Sequence, residues 1–291
     1  MEVDATMAEV RTSLGTLRGG SRGGIEHYLG IPYAAPPVGA RRFLPPDDPA
    51  PWDGVREATR FGPCAPQPPG VEGSPLPDRE VHWDEDCLFL NVYTPACDDA
   101  RRPVLVWIHG GAYVRGSGDL YDGTSFAKVG DIVVVTLNYR MGVFGFVELG
   151  HLDEGLAGSA NNGILDQIAA LRWVREHISE FGGDPDQVTI SGESAGAGSV
   201  MALLASPAAD GLYHRAIAQS APAGFGPLVP GAAETLLEAM GGGGLEALRT
   251  ASAQELIDTQ SRIMTAAQSK RASASSTMAA LGFVPWSIPR P

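Results

Sequence analysis

The 291 residues are 44% hydrophobic and 19% charged, enough to bury one large core or two smaller ones. Thirty-four acidic residues against 21 basic leave a net charge of -13, the wrong sign for a protein that grips a nucleic-acid backbone. No apolar run reaches the roughly 18 residues that span a bilayer, and the acidic start "MEVDATMAEVRTSLG" lacks the apolar core of a secretory signal. Neither nucleic acid nor membrane is therefore expected as a partner, and a cytoplasmic address is.

In chain order, "VRTSLGTLRG" reads as a short hairpin around Gly15, and the stretch from Pro45 to Pro77 as surface loop, being too rich in Pro and Gly for regular elements. "CLFLNVYTP" reads as a strand. Val104 to Ile108 and Ile132 to Leu137 are continuous apolar runs of the kind buried on both faces of a parallel sheet. Apolar residues at 164, 165, 168, 171, 174 and 178 have helical spacing, stopped by Gly182, Gly183 and Pro185. "QVTIS" is the next strand, "AGAGSVMALLAS" the next helix and "HRAIAQSA" a further strand. Strands alternating with helices imply crossovers and an α/β fold with a mainly parallel, twisted central sheet. Beyond Ser220, Gly241 to Gly244 break the chain, "LEALRTASAQELIDTQSRIMTAAQ" reads as helical, "SKRASASS" as mobile and "GFVPWSIPRP" as extended. The whole of 1–291 is expected to form a single domain.

Three cysteines, Cys64, Cys87 and Cys97, fit no zinc spacing and form no C-x-x-C; thiols are expected, with no metal and no cofactor.

The chemistry gathers at "SGESAGAGS". A strand, then G-x-S-x-G, then a helix would hold Ser194 on a tight turn with its hydroxyl pointing out from the sheet. Gly192 and Gly196 leave room where a Cβ would collide. The helix N-terminus offers N–H groups and a positive dipole end to an oxyanion beside Ser194. "WIHGGAYVRGSG" follows an earlier strand and has the Gly pair of an oxyanion loop. Gly111, Ala112 and Ala195 are the expected N–H donors.

These stretches resemble the type-B carboxylesterases, the α/β-hydrolase family that includes cholinesterases and bacterial para-nitrobenzyl esterases. The resemblance runs through "LGIPYAAPPVGARRFLPP", "EDCLFLNVYTP", "VVVTLNYRMGVFGF", "NNGILDQIAALRWVREHISEFGGDPDQVTISGESAGAGSV" and "GLYHRAIAQSA", from about Leu29 to Ala221. It implies an α/β-hydrolase fold, an acyl-enzyme on Ser194, a small-molecule ester substrate and a pocket-lining role for Glu193. It also implies that Cys64 and Cys87 stand where family members carry a disulfide. The choline-binding aromatic of cholinesterases would fall near Pro77, with Trp83 too close to Cys87 to match it, so cholinesterase activity is not expected.

A serine hydroxyl needs a base. In this fold the acid and histidine follow the nucleophile, and the only histidine after Ser194 is His214. It reads as structural, as do His27, His82, His109, His151 and His177. The family's acid and histidine lie beyond residue 291, so the chain is expected to be the N-terminal part of the fold, truncated at its C-terminus and feebly active. The strand from Ala216 to Ser220 would then have a bare edge, and a complementing C-terminal half is a possible partner. Three readings stand: an ester hydrolase, complete or complemented; a catalytically inactive truncated remnant or binding module; and acyl transfer on the same acyl-enzyme.

Overall fold

The computed structural model describes residues 8–69, 82–222 and 231–269. β1 (Glu9–Thr12) and β2 (Gly15–Arg18) form the expected hairpin, with Thr12 opposite Gly15. A Cβ on Gly15 would sit 2.4 Å from the Trp52 indole nitrogen, which donates to the Thr16 carbonyl at 3.0 Å. β3 (Gly20–Arg22) and β4 (Ile25–Pro32) follow. β5 (Val55–Glu57) pairs with β2 inside the Pro-rich stretch read as loop. Three exposed residues carry too little pattern to mark a strand. Residues 70–81 of that stretch lie outside the described residues.

β6 (Phe89–Thr94) and β7 (Arg102–Ile108) lead to α1 (Thr124–Gly130), β8 (Val133–Leu137), the one-turn α2 (Gly142–Gly145) and α3 (Asn162–His177). β9 (Gly183–Glu193), α4 (Ala195–Leu204) and β10 (Arg215–Gln219) complete the larger sheet. Its strand order is β10-β9-β7-β8-β6-β4-β3. The expected parallel sheet is the β10-β9-β7-β8 part, whose strands are joined through α1, α3 and α4. β6, β4 and β3 extend it antiparallel. The link over 95–101 is too short for a parallel crossover, which takes a dozen residues or more. β8 is buried throughout, as its apolar run predicts, whereas β7 alternates, with Leu105 and Trp107 only half-buried. α3 and α4 cover the face of Val104, Val106 and Ile108.

The expected helix over 245–268 is two: α6 (Gly244–Thr250) and α7 (Ala253–Ser269), after α5 (Ala232–Ala239). Ser252 accepts from the Glu255 N–H at 3.2 Å, so a Ser-x-x-Glu start interrupts the run. These helices are tied to the sheet domain by buried polar groups. Arg42 pairs with Glu85 and donates to the carbonyls of Leu248, Arg249 and Ala251 at 2.7–3.1 Å, closing the C-terminal end of α6. Gln260 Oε1 accepts from the Val143 N–H at 3.0 Å. Deep in the core, Arg140 binds Asp166 through Nε (2.8 Å), Nη2 (2.7 Å) and its own backbone N–H (3.0 Å). "SKRASASS" beyond Ser269 and "GFVPWSIPRP" lie outside the described residues.

Candidate active site

β9 ends at Glu193 and α4 begins at Ala195, which leaves Ser194 alone on the turn. Its backbone sits at φ 54, ψ −119, a conformation costing a non-glycine residue about 1–3 kcal/mol. The fold holds it there: the Ser194 N–H donates to Gln219 O at 2.9 Å, and Ser194 O accepts from Gly198 N at 2.9 Å. The two glycines of the motif are places where chain segments touch. A Cβ on Gly192 would lie 2.5 Å from the Gly196 carbonyl group, and one on Gly196 would lie 2.1 Å from Ile108 O. α4 can therefore press its first turn against the end of β7 only without side chains there.

The loop after β7 meets this elbow. A Cβ on Gly110 would stand 2.7 Å from Glu193 O and 3.3 Å from Ser194 Cβ. Gly111, Ala112 and Tyr113 all have positive φ, at 113°, 57° and 60°. The loop folds back on itself, with Gly111 O accepting from the N–H groups of Val114 and Arg115 at 3.1 Å. Gly111 and Ala112 thus belong to a loop that abuts the Ser194 turn, and Ala195 opens the adjoining helix. Glu193 is exposed at the end of β9. Its charge, after burial, helps push the Tyr121 hydroxyl up, and Tyr121 packs on Trp107 at 5.2 Å. Sequence reasoning missed both aromatics. Trp107 comes to the site only through the register that sets it opposite Ser191.

Each described histidine is engaged elsewhere than at the Ser194 hydroxyl. The His214 N–H donates to Val188 O and its Nδ1 accepts from the Val188 N–H. Val188 is six residues before Ser194 on an extended strand, so the ring is about 20 Å from the nucleophile. His109 is buried under the loop, its Nδ1–H donating to Gly110 O at 2.8 Å and its ring stacked 4.4 Å from Tyr139. Burial lowers its pKa to about 4, so it is neutral near pH 7. His177 is buried at the end of α3, and burial lowers its pKa too. His151 pairs with Glu234 at 3.1 Å, the His82 carbonyl bonds the Cys64 N–H, and the His27 ring fills the space beside Gly20.

No disulfide joins the described cysteines. Cys64 Sγ accepts from Gln67 Nε2 at 3.0 Å. Burial pushes the Cys87 thiol far up, and the charges of Asp166 and Cys64 add to that. Among the described residues no group of three or more His, Cys, Asp or Glu side chains could hold a metal ion, and no helix is long and apolar enough to cross a membrane.

A serine on a strained strand-to-helix turn, at the end of parallel strands joined by crossovers, defines an α/β-hydrolase fold. The solved structures agree. A Geobacillus stearothermophilus carboxylesterase superposes with a TM-score of 0.79 at 50% identity, over 86% of this chain and 52% of that one. An esterase from Clostridium hathewayi reaches 0.82 at 36% identity, over 99% of this chain and 57% of its own. The model of the carboxylesterase family matches residues 6–285, and the chain belongs to that family. The Bacillus subtilis para-nitrobenzyl esterase is 50% identical over 216 residues, which is 72% of this chain and 43% of that protein. Mouse neuroligin-2 is 40% identical over 74% of this chain and 30% of its own length. The chain thus spans less than half of these two relatives.

Proposed function

We propose that these residues carry the nucleophile and oxyanion part of a carboxylic ester hydrolase acting on small-molecule esters. Ser194 Oγ attacks the ester carbonyl carbon, and the carbonyl electron pair moves onto oxygen. The N–H groups of Gly111, Ala112 and Ala195 receive that charge. Collapse breaks the C–O bond, the alcohol leaves with a proton, and water then releases the acid from Ser194. Glu193 lines the pocket. The observation that carries this reading is the contact of the Gly110 loop with the strained Ser194 turn. Relatives called para-nitrobenzyl esterase and cocaine esterase support ester as the substrate class.

The base is a separate matter. His214, held at Val188, stands about 20 Å away on the strand spacing and is not the base for Ser194. A complementing C-terminal polypeptide carrying the acid and histidine would restore turnover, and the exposed β10 edge supports such a partner. The alternative, an inactive remnant or binding module, is favoured by the same placement of His214. One hydrophobic cluster running from Val10 to Ile257 supports a single domain.

The test uses an activated aryl ester with the chain alone, with a separately expressed C-terminal half of a family member, and with Ser194→Ala. Alone, hydrolysis is slow and an acyl adduct builds up on Ser194. With the added half, kcat/KM rises to about 10⁴ M⁻¹s⁻¹ or more, and Ser194→Ala abolishes it. No adduct and no complementation would leave the binding-module reading.

A further inference from the structure

The Gly111 N–H belongs to the same peptide group as the Gly110 carbonyl. A trans peptide is planar, so its C=O and N–H point opposite ways, and whatever holds the one aims the other. Gly110 O has two supports. It accepts from His109 Nδ1 at 2.8 Å, and the Cα of Gly116 backs onto it: a Cβ there would lie 2.5 Å from Gly110 O and 2.5 Å from His109 Nδ1. Gly116 itself, at φ 115, is held by a side chain from another segment. Gln67 Oε1 accepts from the Gly116 N–H at 3.0 Å, and Gln67 Nε2 donates to Gly116 O at 3.0 Å. A backbone N–H can only donate, so it fixes which end of the amide is oxygen. The two Nε2 hydrogens also serve Cys64 Sγ at 3.0 Å and Ala65 O at 3.1 Å, in the same segment as Gln67. That segment is anchored in turn. Asn138, just past β8, donates to Pro63 O at 2.9 Å and accepts from Gly118 N at 2.8 Å, and the Cys64 N–H bonds His82 O. Both bonds to Gly116 are buried, so a loop that lost them would leave two backbone groups unpaired unless it moved.

We propose that Gln67 is a positioning residue: its buried amide clamps Gly116, Gly116 backs the Gly110 carbonyl, and the Gly111 N–H is thereby held in place for the oxyanion. This rests on reading Ser194 as the nucleophile and Gly111 as a donor. A donor misplaced by about 1 Å gives up much of its effect on an oxyanion, so a clamp in this place sets the acylation rate and leaves substrate binding alone.

Two variants of the full chain test it, Gln67→Met and Gln67→Ala. Met keeps the length of Gln without its amide, whereas Ala removes both. One readout is hydrogen exchange of the Val114 and Arg115 amides, which bond Gly111 O within the loop. The other is the rate at which excess para-nitrophenyl acetate acylates Ser194, with Ser194→Ala as blank. Losing one buried hydrogen bond corresponds to about tenfold. Gln67→Met should speed loop exchange and slow acylation by at least about that factor, with the half-saturating ester concentration unchanged. Gln67→Ala should lower Tm further yet slow acylation to the same extent, because the cavity adds a cost in stability while the amide is already gone. Wild-type loop exchange and acylation in Gln67→Met would overturn the proposal, since Gln67 would then only fill space. So would exchange in β7 and β9 that speeds as much as in the loop, since the amide would then support the whole domain. If wild-type Ser194 takes no acyl group, the nucleophile reading fails, and exchange of Val114 and Arg115 in Gln67→Met still decides the clamp.

Discussion

β9 has two flanks, and they meet opposite surroundings. On one side it pairs with β7, and Val188 and Ile190 lie with Val104, Val106 and Ile108 in the core beneath α3 and α4. On the other it pairs with β10, where all five residues are exposed and Ile217 keeps 46% of its surface. Both neighbours are short apolar strands in the same parallel register. The Ser194 turn stands where the two surroundings meet, held from the β10 side through Gln219 O and from the β7 side through the contact of Gly196 with Ile108. A strand's apolar run thus specifies pairing, whereas its burial is decided by what lies on top of it.

Substitutions on the two flanks break that contrast by different amounts. The largest effect is expected at Asp166→Ala, which strands a buried guanidinium: about 3–5 kcal/mol, read by denaturant unfolding. Gly196→Ala comes next, since its Cβ meets a backbone carbonyl rather than a yielding side chain. About 3 kcal/mol is expected, together with loss of Ser194 acylation.

His109 gives the interior flank a pH signature. Its folded pKa of about 4 lies below the ordinary 6.5, so between them the unfolded chain binds the extra proton. Its contribution is therefore complete above about pH 6.5 and is lost as pH falls towards 4. The size is about 3 kcal/mol. Unfolding free energies measured from pH 4 to 7 should show a slope that His109→Asn flattens; equal slopes would place the ring in water. The smallest effect is expected at Ile217→Thr on the exposed flank, within about 0.5 kcal/mol by the same unfolding assay. A loss of 2 kcal/mol there would mean that the strand is covered in solution.

The sequence was most readable where backbone packing dictates residue type. Gly192 and Gly196 had to be glycine for β7, β9 and α4 to touch, so the elbow around Ser194 could be read from nine letters. Long amphipathic spacing likewise located α3. Antiparallel β3 and β4 were not read, because "HYLGIP" carries Gly30 at φ 68 inside a strand whose register shifts there, and that breaks any regular pattern. The half-exposed face of Leu105 and Trp107 was hidden by an apolar run that looks the same whether covered on one side or two. Tyr113 was quoted within the loop motif, but its hydroxyl lies against Gly198, more than 80 residues later, a meeting that only the fold arranges.

Arg42 makes the same point along the time of synthesis. Its carboxylate partner Glu85 follows 43 residues later, whereas the Leu248 carbonyl it also binds follows 206 residues later. At 5–20 residues per second the first partner is made within about 2–9 s and the second after about 10–40 s. During that interval the guanidinium has Glu85 and, once residue 144 is made, the Phe144 ring 6.0 Å away, but no carbonyl of α6. The N-terminal segment therefore holds its half of the α6 contact ready long before there is a helix for it to close.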